Sequence, residues 1–330
     1  MSEMLEVRNL KKYFDTKYGK LHAVDDVSFT LGAGKTIGVV GESGCGKSTL
    51  GRAVIGLNEA TDGQVIFEGR DITHLKTRAR REVLVDMQMI FQDPFSSLDP
   101  RKSVFDQIAE PLRLNHICKN KRELESRVKE LMDTVGLAPR LMYSYPHELD
   151  GGRRQRIGVA RALALEPKFI VCDEPVSALD VSIQAQILNL LQDLQEERGI
   201  AYMFITHDLS VVRHISDEIM VMYVGCVVEK SPAKDLFKNP MHPYTVGLLS
   251  AIPVPVVDKN KKHIIMEGEL SMPINPEPGC RFAKRCPFAT EECRTVQPIL
   301  QEVLPDHFVA CHHVDNLSQL AEEKELVYEQ

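Results

Sequence analysis

The stretch TIGVVGESGCGKSTLGRAVIGL, residues 36 to 57, decides the fold. Its first five residues are a short apolar run and its last eight have helix character. Between them, GESGCGKST (41–49) follows the pattern G-x-x-x-x-G-K-S/T. Strand, glycine-rich loop and helix in this order is the context that a phosphate-binding loop demands. The backbone N–H groups of Gly44, Cys45, Gly46 and Lys47 are expected to wrap a β-phosphate, because glycine lets main chain approach an anion closely. Lys47 would reach the β- and γ-phosphates, and Ser48 would give its hydroxyl oxygen to Mg2+. Gly41, Ser43 and Thr49 complete the expected nucleotide contacts. The competing reading is a glycine-rich turn without ligand, but chance matches arise in roughly one ordinary chain per hundred.

Composition narrows what such a loop can serve. With 330 residues the chain is too long for one ordinary domain and suits two plus an appendage. Apolar content of 43% with 26% charged residues is that of a soluble globular protein with a sizeable core. A net charge of −7 advertises no large footprint for nucleic acid. No secretory leader opens the chain and no apolar run is long enough to cross a bilayer, so a membrane role is expected to be peripheral.

Short apolar runs ending in turn or functional residues recur at 27–31, 36–40, 169–172 and 201–206. Between the last two, Ile183, Ile187, Leu190, Leu191 and Leu194 have helical spacing and Gly199 supplies the stop. Strand, helix, strand argues for a mainly parallel sheet with helices packed on it. The opening segment alternates more and is expected to form an antiparallel β portion. From about 93 to 160 the chain turns helical and charged, which predicts a helical subdomain inserted into the α/β core. After about 235 proline becomes frequent, marking a loop-rich extension over 236–330.

Further motifs carry chemistry. FIVCDEP (169–175) is an apolar strand ending in two acids. Asp173 is placed to hold Mg2+ through water, and Glu174 to polarise an attacking water as general base. Alone, such a strand end is weak; beside a phosphate loop it becomes strong. His207 in FITHD follows one helix later and could stand beside the γ-phosphate, although a lone histidine there is more often structural. Gln92 in MIFQDP could be a neutral ligand to Mg2+ or to the water, or a plain surface glutamine.

Residues 1 to about 235 resemble the nucleotide-binding subunit of an ATP-binding cassette (ABC) transporter. The phosphate loop, FQDP, the glycine pair of ELDGGRRQR (148–156), CDEPVSALD and THD occur in that family's order and with similar spacing. The resemblance implies a P-loop NTPase fold of α/β class. It comprises an ABC nucleotide-binding domain over 1–235 with the antiparallel β portion and the inserted helical subdomain, then a Cys/Pro-rich C-terminal extension. It implies two such subunits closing head to tail, each ATP lying between one subunit's phosphate loop and Asp150, Gly151 and Gly152 of the other. Phe14 matches the aromatic that stacks on adenine, and SALD (177–180) would lie at the seam. NPMHPYTVGLLSAIPVP and PINPEPGCRFAKRCPFATEEC resemble the C-terminal extension of oligopeptide and dipeptide importer ATPases. The implied partners are two transmembrane permease subunits and, indirectly, an extracytoplasmic substrate-binding protein, with the chain peripheral at the cytoplasmic face of the cell membrane.

Four of the eight cysteines, Cys45, Cys118, Cys172 and Cys226, are scattered and read as small, reduced, mostly buried side chains. Cys280, Cys286, Cys293 and Cys311 cluster with spacing C-x5-C-x6-C-x17-C. A soft thiolate set suits zinc or an iron–sulfur cluster. Structural zinc usually shows tighter paired spacing, and some members of the resembled family hold a 4Fe-4S cluster here. Cluster, zinc and no metal stay open, with His312 or His313 able to replace Cys311.

The resulting expectation is an ATP-hydrolysing subunit that drives peptide uptake, with Glu174 and His207 orienting water and the helical subdomain passing movement to the permease. The same engine with another cargo (nickel chelates, oligosaccharides) is the alternative within the class. A soluble cassette ATPase in repair or translation typically fuses two cassettes or carries long coiled coils, which this chain lacks. A non-catalytic metal-sensing regulator is disfavoured by the intact Glu174 and His207. Asp150 stands where the family usually has a serine that touches the opposing γ-phosphate. An ionised carboxylate there would repel phosphate, or it is a tolerated variant acting as a helix cap. The sharper reading is an impaired site, and hence a heterodimer with a related ABC ATPase subunit.

Overall fold

In the computed structural model, residues 3–251, 268 and 272–316 are described, without the side chains of Pro94 and Ser96. The strands among them are β1 (Glu3–Thr16), β2 (Gly19–Gly32), β3 (Thr36–Val40), β4 (Asp62–Phe67), β5 (Arg70–Asp71), β6 (Met87–Ile90), β7 (Phe169–Asp173), β8 (Ala201–Ile205), β9 (Glu218–Tyr223), β10 (Cys226–Pro232), β11 (Gln301–Leu304) and β12 (His307–Val309). They belong to two compact units. One comprises Met1–Glu3, Leu31–Lys35 and Leu75–Ile205; the other comprises Met4–Thr30, Thr36–His74 and Thr206–Gln330.

The first unit holds the parallel strands β6, β7 and β8, in register Met87 with Phe169 and Phe169 with Ala201. Every residue of β7 and β8 is buried, which is why these segments are nearly uninterrupted apolar runs rather than alternating ones. The helix Val181–Arg198 follows β7, buries Ile187, Leu191 and Leu194 at the expected spacing, and ends on a left-handed Gly199. The charged middle of the chain is helical. Val104–Leu114 buries Val104, Ile108 and Leu112, and Lys121–Thr134 buries Leu124, Val128, Leu131 and Met132. Ser103 and Asn120 cap these two helices through the N–H groups of Asp106 and Glu123.

The second unit contains the expected antiparallel portion, ordered β2-β1-β4-β5, with Leu5 opposite Phe67 and Val7 opposite Val65. Here β3 runs parallel to β9, Val40 opposite Val221. The sheet then turns antiparallel through β10 and β12 to β11. Residues of the C-terminal extension therefore supply sheet edge as well as loop. The fully buried Glu229 on β10 anchors this edge. Its carboxylate accepts the N–H groups of Met241 (2.7 Å) and His242 (2.9 Å) and lies 2.7 Å from His307 Nε2. Three partners offset the desolvation of a buried carboxylate.

Burial lowers the pKa of His242 to about 4, and the attraction of Glu229 only partly opposes this. Its Nδ1 accepts the N–H of Tyr244 and so caps the helix Pro243–Ser250. An unfolded histidine titrates near 6.5, so between about pH 6.5 and 4 the unfolded chain binds a proton that the folded chain refuses. Stability must fall as pH drops through that window, by up to about 3 kcal/mol from this residue. His242→Asn keeps a neutral cap and is expected to flatten this part of the stability–pH profile, measured by denaturant unfolding. An unchanged slope would assign the acid sensitivity elsewhere.

Candidate functional site

The phosphate loop emerges from β3, whose five residues are all buried. Gly46 starts the helix Lys47–Val54 with left-handed backbone (φ 110°) and without a side-chain cap, and a helix start is where phosphates bind main-chain donors. A Cβ on Gly46 would lie 2.1 Å from the Ala23 carbonyl oxygen, and one on Gly41 2.2 Å from that of Met222. Neighbouring backbone thus excludes side chains at both ends of the loop. At Gly44 an added Cβ would meet nothing within 4 Å, so the loop is open there. Lys47 is buried, and its ammonium donates to the carbonyl oxygens of Gly41 (2.7 Å) and Glu42 (3.0 Å). Ser43 is exposed, while Ser48 and Thr49 are half-buried. Burial also raises the pKa of the Cys45 thiol.

Two further expected residues lie in the same unit. Phe14 is partly exposed on β1 with the Lys12 ammonium 4.7 Å from its ring centroid. Its neighbour Tyr13 is engaged instead, stacked on His22 at 3.8 Å and bonded through its hydroxyl to Asp25. His207 is exposed directly after Thr206, whose N–H donates to the Val39 carbonyl (3.1 Å), two residues before Gly41. The β3 backbone therefore fixes where His207 leaves the fold.

In the first unit, β7 ends on the fully buried Asp173, and Glu174 follows in the left-handed region (φ 46°). A non-glycine residue there costs roughly 1 kcal/mol or more, and the bond from its N–H to the Ile205 carbonyl (2.9 Å) helps hold it. Gln92 Nε2 donates to Glu174 Oε2 at 2.8 Å, so these two expected residues are brought together. Asp150 caps the helix Gly151–Leu163: Oδ1 accepts the N–H of Arg153 (2.8 Å) and Oδ2 lies 3.4 Å from Arg153 Nε. A Cβ on Gly152 would come within 2.7 Å of Ile183 Cγ2, which ties this helix start to the helix Val181–Arg198.

One residue escapes the sequence analysis. Arg154 is buried, with its guanidinium 3.7 Å from the centroid of the Phe95 ring and Nε donating to the Pro146 carbonyl (2.6 Å). It joins the segment after Gln92 to residues 145–149 and the glycine pair. An arginine beside a glycine-rich turn reads as surface charge, so no local signal reveals it.

The clustered cysteines converge. Cys280, Cys286, Cys293 and Cys311 line one small cavity of about 20 Å³, together with His242, His312 and His313. Burial pushes Cys286 and Cys311 up to about 12. His312 Nε2 lies 3.0 Å from the Val296 carbonyl, and His313 Nε2 lies 2.8 Å from Thr290 Oγ1. Among the described residues no group of three or more His, Cys, Asp or Glu side chains is arranged to hold a metal ion. Cys45, Cys172 and Cys226 are buried as expected, whereas Cys118 is only half-buried.

A phosphate loop with a buried lysine, and an acid-ended parallel strand whose glutamate meets a glutamine, define a P-loop nucleoside triphosphatase. The family model described as ABC transporter matches residues 24–177, and the one described as oligopeptide/dipeptide transporter, C-terminal region, matches 228–293. The chain is 53% identical to the oligopeptide transport ATP-binding protein OppF of Salmonella typhimurium, over 95% of this chain and 97% of that protein. It is 50% identical to the oligopeptide transport ATP-binding protein AppF of Bacillus subtilis, covering 94% and 97%. A solved ATP-binding cassette, MJ0796, dimeric in a post-hydrolysis state with ADP and Pi, superposes with a TM-score of 0.65 at 27% identity. The match covers 70% of this chain and 99% of that one. The chain belongs to the ABC transporter family and is an ATPase of that family. Among the described residues no helix is long and apolar enough to cross a membrane.

Proposed function

We propose that this chain powers the import of di- and oligopeptides through a separate membrane permease, working at the cytoplasmic face of the membrane. The observation that carries the peptide cargo is the extension: its match to the oligopeptide/dipeptide transporter region sits beside relatives named for peptide transport. The functional division is a nucleotide-binding domain over 1–235, with helical subdomain 93–160, and an extension over 236–330. Lys47 and the loop N–H groups grip the phosphates, and Phe14 stacks on the base. Gly41, Ser43, Gly44, Cys45, Gly46 and Thr49 line the nucleotide. Ser48, Gln92 and Asp173 would hold Mg2+, which neutralises phosphate charge when bound. Glu174 takes the proton of the attacking water while Gln92 and His207 orient it. Closure on ATP and reopening after hydrolysis pass to two permease subunits through the segment 95–112, and an extracytoplasmic binding protein delivers cargo to them.

Asp150, Gly151 and Gly152 serve the partner's nucleotide in trans. The carboxylate engaged as a cap offers no hydroxyl to that phosphate, so the site it completes hydrolyses poorly. This favours a heterodimer with a related ATPase whose own signature completes the working site. The four clustered cysteines are assigned to a 4Fe-4S cluster because all four line one cavity. The cluster would tie the extension together; zinc is the alternative occupant.

Glu174→Gln is expected to keep ATP affinity, trap a closed dimer on sizing columns and lower turnover by roughly 10² to 10⁴; undiminished turnover contradicts the role. In the assembled complex, Asp150→Ser is expected to raise the number of hydrolysing sites per dimer, and unchanged stoichiometry and nucleotide retention would leave only the tolerated-variant reading. Anaerobically purified protein should contain iron and acid-labile sulfide; four titratable thiols without either would remove the cluster.

A further inference from the structure

Glu42, the second residue of the phosphate loop, is held at all three of its polar groups. The Lys47 ammonium takes its carbonyl oxygen at 3.0 Å. The partners of its N–H and its carboxylate come from more than 200 residues away, in the C-terminal extension. The Tyr244 hydroxyl accepts the Glu42 N–H at 2.9 Å. Arg285 grips the carboxylate with both arms, Nη1 to Oε2 at 2.6 Å and Nη2 to Oε1 at 3.0 Å. Such a two-pronged arginine–carboxylate contact fixes direction as well as distance.

The holders are themselves held. Arg285 is 10% exposed and lies over the Tyr223 ring, 5.8 Å from its centroid. Phe282 packs edge-on against Tyr223 at 5.1 Å and lies 5.5 Å from Tyr244. In the same short turn, one helical turn before Arg285, Arg281 bonds Asp25 Oδ2 at 2.5 Å, and Asp25 also takes the Tyr13 hydroxyl and lies 2.9 Å from His22 Nδ1. The turn 280–286 is therefore tied to Glu42 and Asp25 through two arginines.

We propose that Arg285 and Tyr244 are positioning residues for nucleotide binding: the extension sets the conformation of the phosphate loop by clamping Glu42. The inference rests on reading 41–49 as the nucleotide site. An array of N–H donors binds phosphate well only if its geometry is fixed beforehand, since a loop that must be ordered by the ligand loses affinity. A loop rich in glycine is floppy on its own, and Glu42 is where an outside grip can stiffen it.

The test uses the full chain and a fluorescent ATP analogue. Arg285→Gln, Glu42→Gln and Tyr244→Phe are each expected to weaken nucleotide binding, by roughly tenfold for the first two, the size of one charge-assisted hydrogen bond. Arg285→Gln with Glu42→Gln should be no worse than the weaker single variant, because both break one contact. The sign at Glu42 is decisive. Removing a negative charge beside a triphosphate would tighten binding on charge alone, so loss identifies the clamp. Glu42→Gln binding as tightly as the parent, or losses that multiply in the double variant, would overturn the proposal. Should Arg285→Gln fail to fold, Glu42→Gln and Tyr244→Phe, which keep side-chain volume, decide by the same criteria. Lys47→Ala separates the premise: unchanged affinity there removes the nucleotide reading of the loop and the inference with it.

Discussion

At both of its ends the backbone of the phosphate loop has to run where no side chain fits. At Gly46 and Gly41 the carbonyls of Ala23 and Met222 stand close to where a Cβ would be. Those carbonyls belong to β2 and β9, so the antiparallel portion and the central strands together mould the loop. The consequences run outward. Lys47 is folded back onto loop carbonyls, β3 sets the exit of His207 through Val39, and the helix after the loop starts without a side-chain cap. The proposed phosphate grip depends on main-chain donors held in place by tertiary packing, together with the buried Lys47.

The same logic explains the glycine pair after Asp150. Gly152 lets the helix Gly151–Leu163 approach Ile183, and Asp150 satisfies the first-turn donor at Arg153. A carboxylate is a good cap and complements the helix dipole, so the substitution is sound for folding. Serine would cap this helix about as well, so the proposed consequence of Asp150 lies in function alone, through an acceptor-only group with negative charge.

Much of the candidate site was legible because it is local. The phosphate loop, the acid-ended β7 and the helix carrying Ile187, Leu191 and Leu194 each announce themselves within about twenty residues, through spacing and burial pattern. Gln92 and His207 were legible only as members of an ordered set of motifs, since neither has a distinguishing neighbourhood. What stayed hidden is non-local. The antiparallel edge from β9 to β11 joins residues near 220 to residues near 305, and the buried Glu229 that anchors it looks like any strand glutamate. Arg285 and Glu42 are separated by 243 positions, and no periodicity links them. Arg154 hid for the same reason, its partner Phe95 lying far upstream. The cysteine spacing was visible, yet their convergence on one cavity with His242 required the fold.

In the proposed function, ATP is spent to move peptides. Uptake of a labelled oligopeptide into vesicles that hold the complete complex, with ATP supplied on the face bearing this chain, measures that directly. Accumulation that needs ATP and vanishes with Lys47→Ala is the expected result. ATP-driven uptake of a nickel chelate or an oligosaccharide in the same vesicles, with none of the peptide, would contradict it.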